Sequence, residues 1–177
     1  MKKIEVEIPE GKRAEWVDNV LTLVDDKPVN IMEKVTAYYD ACKILEIENF
    51  LDEPNPIMNM MGIDYKIPKN VIAMMKLETI IEALNEGWVA AENINDQWWF
   101  PWFYRFDKCT ESKYNGFISA KSYSDSGVNR GVAFAYPDHD LSRMYSFYGS
   151  RLALKSSELA EYCGKQFIQL WADYLLG

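Results

Sequence analysis

The sequence predicts an α+β fold: an antiparallel sheet of about four to six strands packed with three helices, opening on an N-terminal β-meander. Apolar residues recur at three- and four-residue spacing in three separate segments, which is the period of a helix buried on one face. Other segments alternate with period two, as half-buried strands do, and they lie before and after the helices with short connections and no β-α-β rhythm.

Ile4, Val6 and Ile8 alternate with Glu5 and Glu7, and Pro9-Glu10-Gly11 ends that strand. Ala14 to Val17 and Val20 to Val24 flank Asp18-Asn19, two residues that tolerate left-handed backbone and suit a tight hairpin. Asn30, with Glu33 three residues on, is a capping box for a first helix to Leu45, whose stripe is Ile31, Val35, Tyr38, Cys42 and Leu45. Residues 46–68 hold Pro54, Pro56, Gly62 and Pro68 without a sustained period and read as a long loop, the one boundary the chain offers in a single domain of residues 1–177. Its Met58, Met60 and Met61 either fold back on the core with Ile57 and Ile63 or form an adaptable surface for a partner. The second helix, 70–86, carries Met74, Leu77, Ile81, Leu84 and Trp88 in one stripe, with Gly87 as its left-handed cap.

From Gln97 the pattern becomes extended. Trp98, Phe100, Trp102, Tyr104 and Phe106 alternate with Trp99, Pro101, Phe103 and Arg105, and Pro101 marks an edge or bulged strand because it has no N–H to donate. Phe117–Tyr123, Val132–Tyr136 and Arg151–Lys155 are further strands. The last helix starts at Ser156 or Ser157 and buries Leu159, Cys163, Phe167, Trp171 and Tyr174 along 157–175.

Composition narrows the function classes. With 177 residues, 49% of them hydrophobic and 26% charged, the chain can bury a core of its own, and no apolar run is long enough for a membrane span. The net charge of -8 argues against a general nucleic-acid binder. The acid is uneven: residues 1–96 hold 19 acidic and 10 basic side chains, and residues 97–177 hold 8 and 9. Cys42, Cys109 and Cys163 are odd in number and form no CxxC, and Met1-Lys2-Lys3 leads into a strand pattern without an apolar leader, so a cytoplasmic setting is expected.

No motif supplies a complete catalytic, metal or nucleotide signature, and no cofactor or metal is expected. His139, the single histidine, stands in Pro137-Asp138-His139-Asp140, which reads as a solvated turn. Asp125-Ser126-Gly127-Val128-Asn129 has oxygen ligands without the EF-hand spacing. The pairs Asp25-Asp26 and Asp52-Glu53 read as solvated carboxylates.

The strongest surface candidate follows from period-two placement on the C-terminal sheet. If the even residues Trp98 to Phe106 face the helices with Val132, Phe134, Tyr136, Leu152 and Leu154, the other face carries Trp99, Phe103, Arg105, Ala133, Ala135, Arg151 and Lys155. That face is flat, aromatic and locally basic, suited to stacking a sugar or base or docking a protein, unless the N-terminal meander covers it.

Three stretches carry a resemblance: Lys3-Ile4-Glu5-Val6-Glu7-Ile8-Pro9-Glu10-Gly11-Lys12 on to Val24, Ile80-Ile81-Glu82-Ala83-Leu84-Asn85-Glu86-Gly87-Trp88 with Pro101-Trp102-Phe103, and Gly149-Ser150-Arg151-Leu152-Ala153-Leu154-Lys155 on to Phe167. Together they cover about half the chain, and it resembles an uncharacterised family of small proteins from phages, prophages and mobile elements of gut Bacteroidales. The resemblance implies a genomic setting and no activity. The expectation is therefore a non-enzymatic interaction or accessory protein of a phage or mobile element, in the bacterial cytoplasm or a phage particle, binding a protein partner or itself. Two other readings stand beside it: a small enzyme built from dispersed carboxylate, Tyr and Arg side chains, and an acidic inhibitor of a host nucleic-acid enzyme.

Overall fold

Leu77, Ile81 and Leu84, the centre of the second predicted stripe, are fully buried in the longest helix of the computed structural model. The structure describes residues 7–17, 19–25, 30–52, 57–60, 63–90, 97–123, 129–141 and 149–177. Its elements run β1 (Lys12–Val17), β2 (Val20–Asp25), α1 (Ile31–Lys34), α2 (Tyr38–Ile44), β3 (Ile57–Met60), β4 (Ile63–Lys66), α3 (Lys69–Asn85), β5 (Gln97–Asp107), β6 (Ser119–Tyr123), β7 (Asn129–Leu141), α4 (Ser157–Gln166) and α5 (Ile168–Leu176). Short 3-10 turns lie at Phe50–Asp52, Glu111–Tyr114 and Ser150–Leu152.

The α+β class stands, with every strand pairing antiparallel. In place of one sheet of four to six strands there are a β1-β2 hairpin, a β3-β4 hairpin and a three-stranded sheet in the order β5-β7-β6. Two of the three predicted helices are broken, which gives five described helices. The first breaks after α1, where the Asp40 carboxylate accepts from the Thr36 N–H (3.0 Å), the Thr36 hydroxyl (2.8 Å) and the Ala37 N–H (2.9 Å) and so starts a new helix. Those bonds, the Thr36 hydroxyl first, hold the Asp40 carboxyl below its ordinary range. The last helix breaks at Phe167, whose φ of -106° and ψ of 27° end α4 and begin α5. Ser156 caps α4, accepting from the Leu159 N–H at 3.3 Å.

The turn between β1 and β2 passes through Asn19 at φ 65°, as the Asp18-Asn19 pair predicts. Of the expected first strand, Ile4 and Val6 lie outside the described residues and Ile8 is not in a strand, so the described part of the meander is a two-stranded hairpin. The hairpin leaves Trp16 74% exposed, and neither β1 nor β2 is among the elements packed closely on the three-stranded sheet. Residues 46–68 are more than a loop: they contain the Phe50–Asp52 turn and the β3-β4 hairpin. Leu51 and Ile67, near its two ends, are buried. Lys76 of α3 pairs with Asp52 and lies over the Tyr38 ring, 5.1 Å from its centroid, which ties the turn to α2 and α3. The Asp52 carboxyl, pushed up by partial burial, is brought below its usual value by Lys76 and Asn49.

One hydrophobic core joins residues from both sides of that segment: Ile31, Val35, Leu77, Ile80 and Leu84 with Leu152, Leu154, Phe167 and Trp171. Arg151–Lys155 is not the predicted strand. It is a 3-10 turn followed by a single bridge in which the Trp99 and Leu154 backbones exchange hydrogen bonds of 3.0 and 2.9 Å. Asn85, buried at the end of α3, holds the same segment by donating to the Ala153 carbonyl (2.8 Å) and accepting from the Lys155 N–H (3.0 Å).

Helix α4 reaches the sheet at Gly164. A Cβ there would lie 2.6 Å from the Phe134 ring and 2.7 Å from Pro101. Gly164→Ala gains helix propensity of about 1 kcal/mol, yet pushing the helix off the sheet outweighs it, and a net destabilisation of about 1 to 3 kcal/mol is expected in urea unfolding. A variant as stable as the parent would mean that Phe134 can turn aside.

Candidate functional site

The face of the three-stranded sheet away from α4 and α5 is built on the even residues of β5. Trp99 packs into the main core, Pro101 is buried, and the Phe103 ring lies 5.4 Å from that of Trp171 on α5. Trp102 and Tyr104 point the other way and are 46% and 43% exposed. The predicted parity is therefore reversed. Both parities of β5 are aromatic, so alternation alone cannot say which one the helices cover, and a one-residue change of face costs the pattern nothing.

A bulge sharpens the arrangement. Trp102 pairs with Tyr136 and Phe103 with Phe134, which leaves Ala135 as an extra residue in β7. Phe134 can therefore pack against α4 while Tyr136, two residues on, stays on the outer face and is 48% exposed. The Trp102 and Tyr136 rings lie 6.5 Å apart with planes within 9°.

The outer aromatic row is covered at its ends and open at its centre. Trp98 and Phe100 pack with Trp88 and Ala90. At the other end the Glu111–Tyr114 turn lays Tyr114 against Phe106 (5.5 Å) and one side of Tyr104 (5.4 Å), and Lys121 pairs with Glu111 at 2.5 Å to hold the turn. The Phe106 ring fills the space over Gly131, where a Cβ would lie 2.2 Å away. Between these covers lie Trp102 and Tyr136, with Tyr104 beside them still 43% exposed despite its contacts with Tyr114 and Phe117, a shallow apolar platform suited to stacking against a flat or aromatic group.

The other predicted surface residues are scattered. Arg105 is exposed near the far end of β5. Arg151 lies in the 3-10 turn, 3.6 Å from Glu78, and Lys155 pairs with Glu86 at 2.8 Å, so both face α3 rather than the sheet. Met58 and Met60 take register positions opposite Tyr65 and Ile63 in the β3-β4 hairpin, and Met61 lies outside the described residues. His139 is in β7 and not in a turn, its ring 4.4 Å from that of Trp99. Of the loop predicted at 124–129, residues 124–128 lie outside the described residues.

The titratable groups that depart from ordinary values are held by structure. Cys163 is fully buried, and burial pushes its thiol up to about 12. Burial also raises the Tyr38 and Tyr162 hydroxyls, and the Tyr162 hydroxyl donates to the Val35 carbonyl at 2.9 Å. Asp107 is lowered by the Thr110 hydroxyl and the Cys109 and Thr110 N–H groups of its own turn. Among the described residues no three of His, Cys, Asp and Glu gather as a metal site, and no helix is long and apolar enough to cross a membrane. No family model, curated protein or solved structure matches the chain.

Proposed function

We propose that this chain is a non-enzymatic interaction protein of a phage or mobile element, and that it binds a protein partner through the open centre of the aromatic row, Trp102, Tyr104 and Tyr136. The carrying observation is that the Trp102 and Tyr136 rings stand nearly parallel and half exposed at the row's centre, while Trp98 and Phe106 at its two ends are buried. Exposed aromatic clusters on rigid strands supply large contact area at little entropic cost, which is why such residues dominate binding energy in interfaces. The carboxylates that shift, Asp40, Asp52, Asp107 and Glu158, all shift downward, the sense that suits structural hydrogen bonding and not the raised value a general acid needs. The mobile-element setting, in the bacterial cytoplasm or a particle, rests on the family resemblance.

Trp102→Ala and Tyr136→Ala are expected to change folding stability by only about 0.5 kcal/mol, since neither ring belongs to the core, while removing association with the partner or with a second copy. Thermal unfolding of each variant, sedimentation of the purified protein and pull-down from lysogenic cells test this together. Loss of folding in Trp102→Ala, or a stable variant that keeps every partner, would overturn it.

A further inference from the structure

A second surface lies on the exposed side of α3, and it goes beyond the reading above. Glu78 and Glu82 follow at four-residue spacing on the last two turns of the helix, and Glu86 is the left-handed residue that caps its C-terminus. Like charges at this spacing repel, and carboxylates near a helix C-terminus also oppose the negative end of the helix dipole. The fold relieves this at Glu86 with Lys155 (2.8 Å) and, loosely, at Glu78 with Arg151 (3.6 Å), whose side chain is 79% exposed. Glu82 has no ion-pair partner among the described residues.

Beside this row a cleft of about 350 Å³ runs between α3 and the Ser150–Leu152 turn. Ile81 and Ala90 form apolar wall, Trp88 adds an aromatic ring, and Glu78, Glu82 and Arg151 stand at its rim. Asn85, whose amide is bonded to both Ala153 and Lys155, fixes the distance between the two walls. A cleft on the other side of Glu82, about 380 Å³, has Lys34 on its rim and no aromatic wall, so the two differ in what they can hold.

We infer that the cleft lined by Trp88 and Glu82 receives an arginine side chain of a partner protein. An alkyl stem suits Ile81 and Ala90, and a planar guanidinium can stack on an indole while presenting paired N–H groups to a carboxylate, which an ammonium cannot do. The charge complementarity is specific. The incoming cation compensates Glu82 and can share Glu78 with the weakly held Arg151.

The test is a titration of the ¹⁵N-labelled full chain with the tripeptide acetyl-Gly-Arg-Gly-amide, followed by amide and indole N–H shifts. Saturable binding in the millimolar range is expected, with shifts at Glu82, Trp88 and Arg151. Glu82→Gln should weaken binding by about tenfold, the loss of one hydrogen bond to a charged group. The same variant should unfold at an equal or higher temperature, because it removes a repulsion, and Glu78→Gln provides an independent second variant that should also weaken binding. Trp102→Ala should leave the titration unchanged, which separates this site from the sheet face. No saturable shift, equal binding of the neutral citrulline tripeptide, insensitivity to Glu82→Gln, or shifts confined to the sheet aromatics would each overturn the inference.

Discussion

Trp171→Ala is expected to lower unfolding stability by about 3 to 5 kcal/mol, a large fraction of what a domain of this size possesses. The indole is fully buried, lies against Phe103 from the sheet (5.4 Å) and Tyr174 from its own helix (6.2 Å), and belongs to the core that also holds Leu77, Ile80 and Leu84 of α3. Truncation would leave a cavity among side chains from three separate elements, which cannot all close in to fill it. A urea midpoint shift equivalent to less than about 1 kcal/mol would show that α5 does not complete this core.

Asn85→Ala is the second, at about 2 to 4 kcal/mol. The amide satisfies one carbonyl and one N–H of the backbone opposite, and its loss strands the buried Ala153 carbonyl and leaves the part-buried Lys155 N–H without its acceptor. Asn85→Asp distinguishes this from a simple loss of volume: it keeps the size and the acceptor for Lys155 but turns an oxygen toward the Ala153 carbonyl, so it should be at least as damaging as alanine. Chemical denaturation of the pair checks it, and an aspartate variant as stable as the parent would remove the hydrogen-bond argument.

The helical stripes were legible because each buries one face: Leu77, Ile81 and Leu84 in α3 and Leu159, Cys163 and Trp171 in α4 and α5 are where their spacing places them. The breaks were not, because they arise from single side-chain bonds such as Asp40 to Thr36 and from tertiary packing at Phe167, neither of which interrupts the apolar period. Four-residue strands such as β3 and β4 carry too few alternations to stand out among prolines. For the candidate surface, an aromatic sheet face was legible and its side was not. Phe103 and Trp102 are chemically alike, and only the packing of Gly164 against Pro101 and Phe134 decides which face meets the helices. Arg151 and Lys155 were misplaced for a related reason, since a single bridge at Leu154 looks like a strand in sequence.

The order of synthesis acquires a meaning from the way the core is closed. Val35, Leu77 and Leu84 emerge from the ribosome long before Trp171, which belongs to the same core. Until α5 appears, α1, α2 and α3 carry an apolar surface with no cover, and the β5-β7-β6 sheet lacks the helices that shield Phe103 and Phe134. A chain that has emerged only that far exposes apolar faces through which partly folded molecules associate, and that exposure ends when α5 docks.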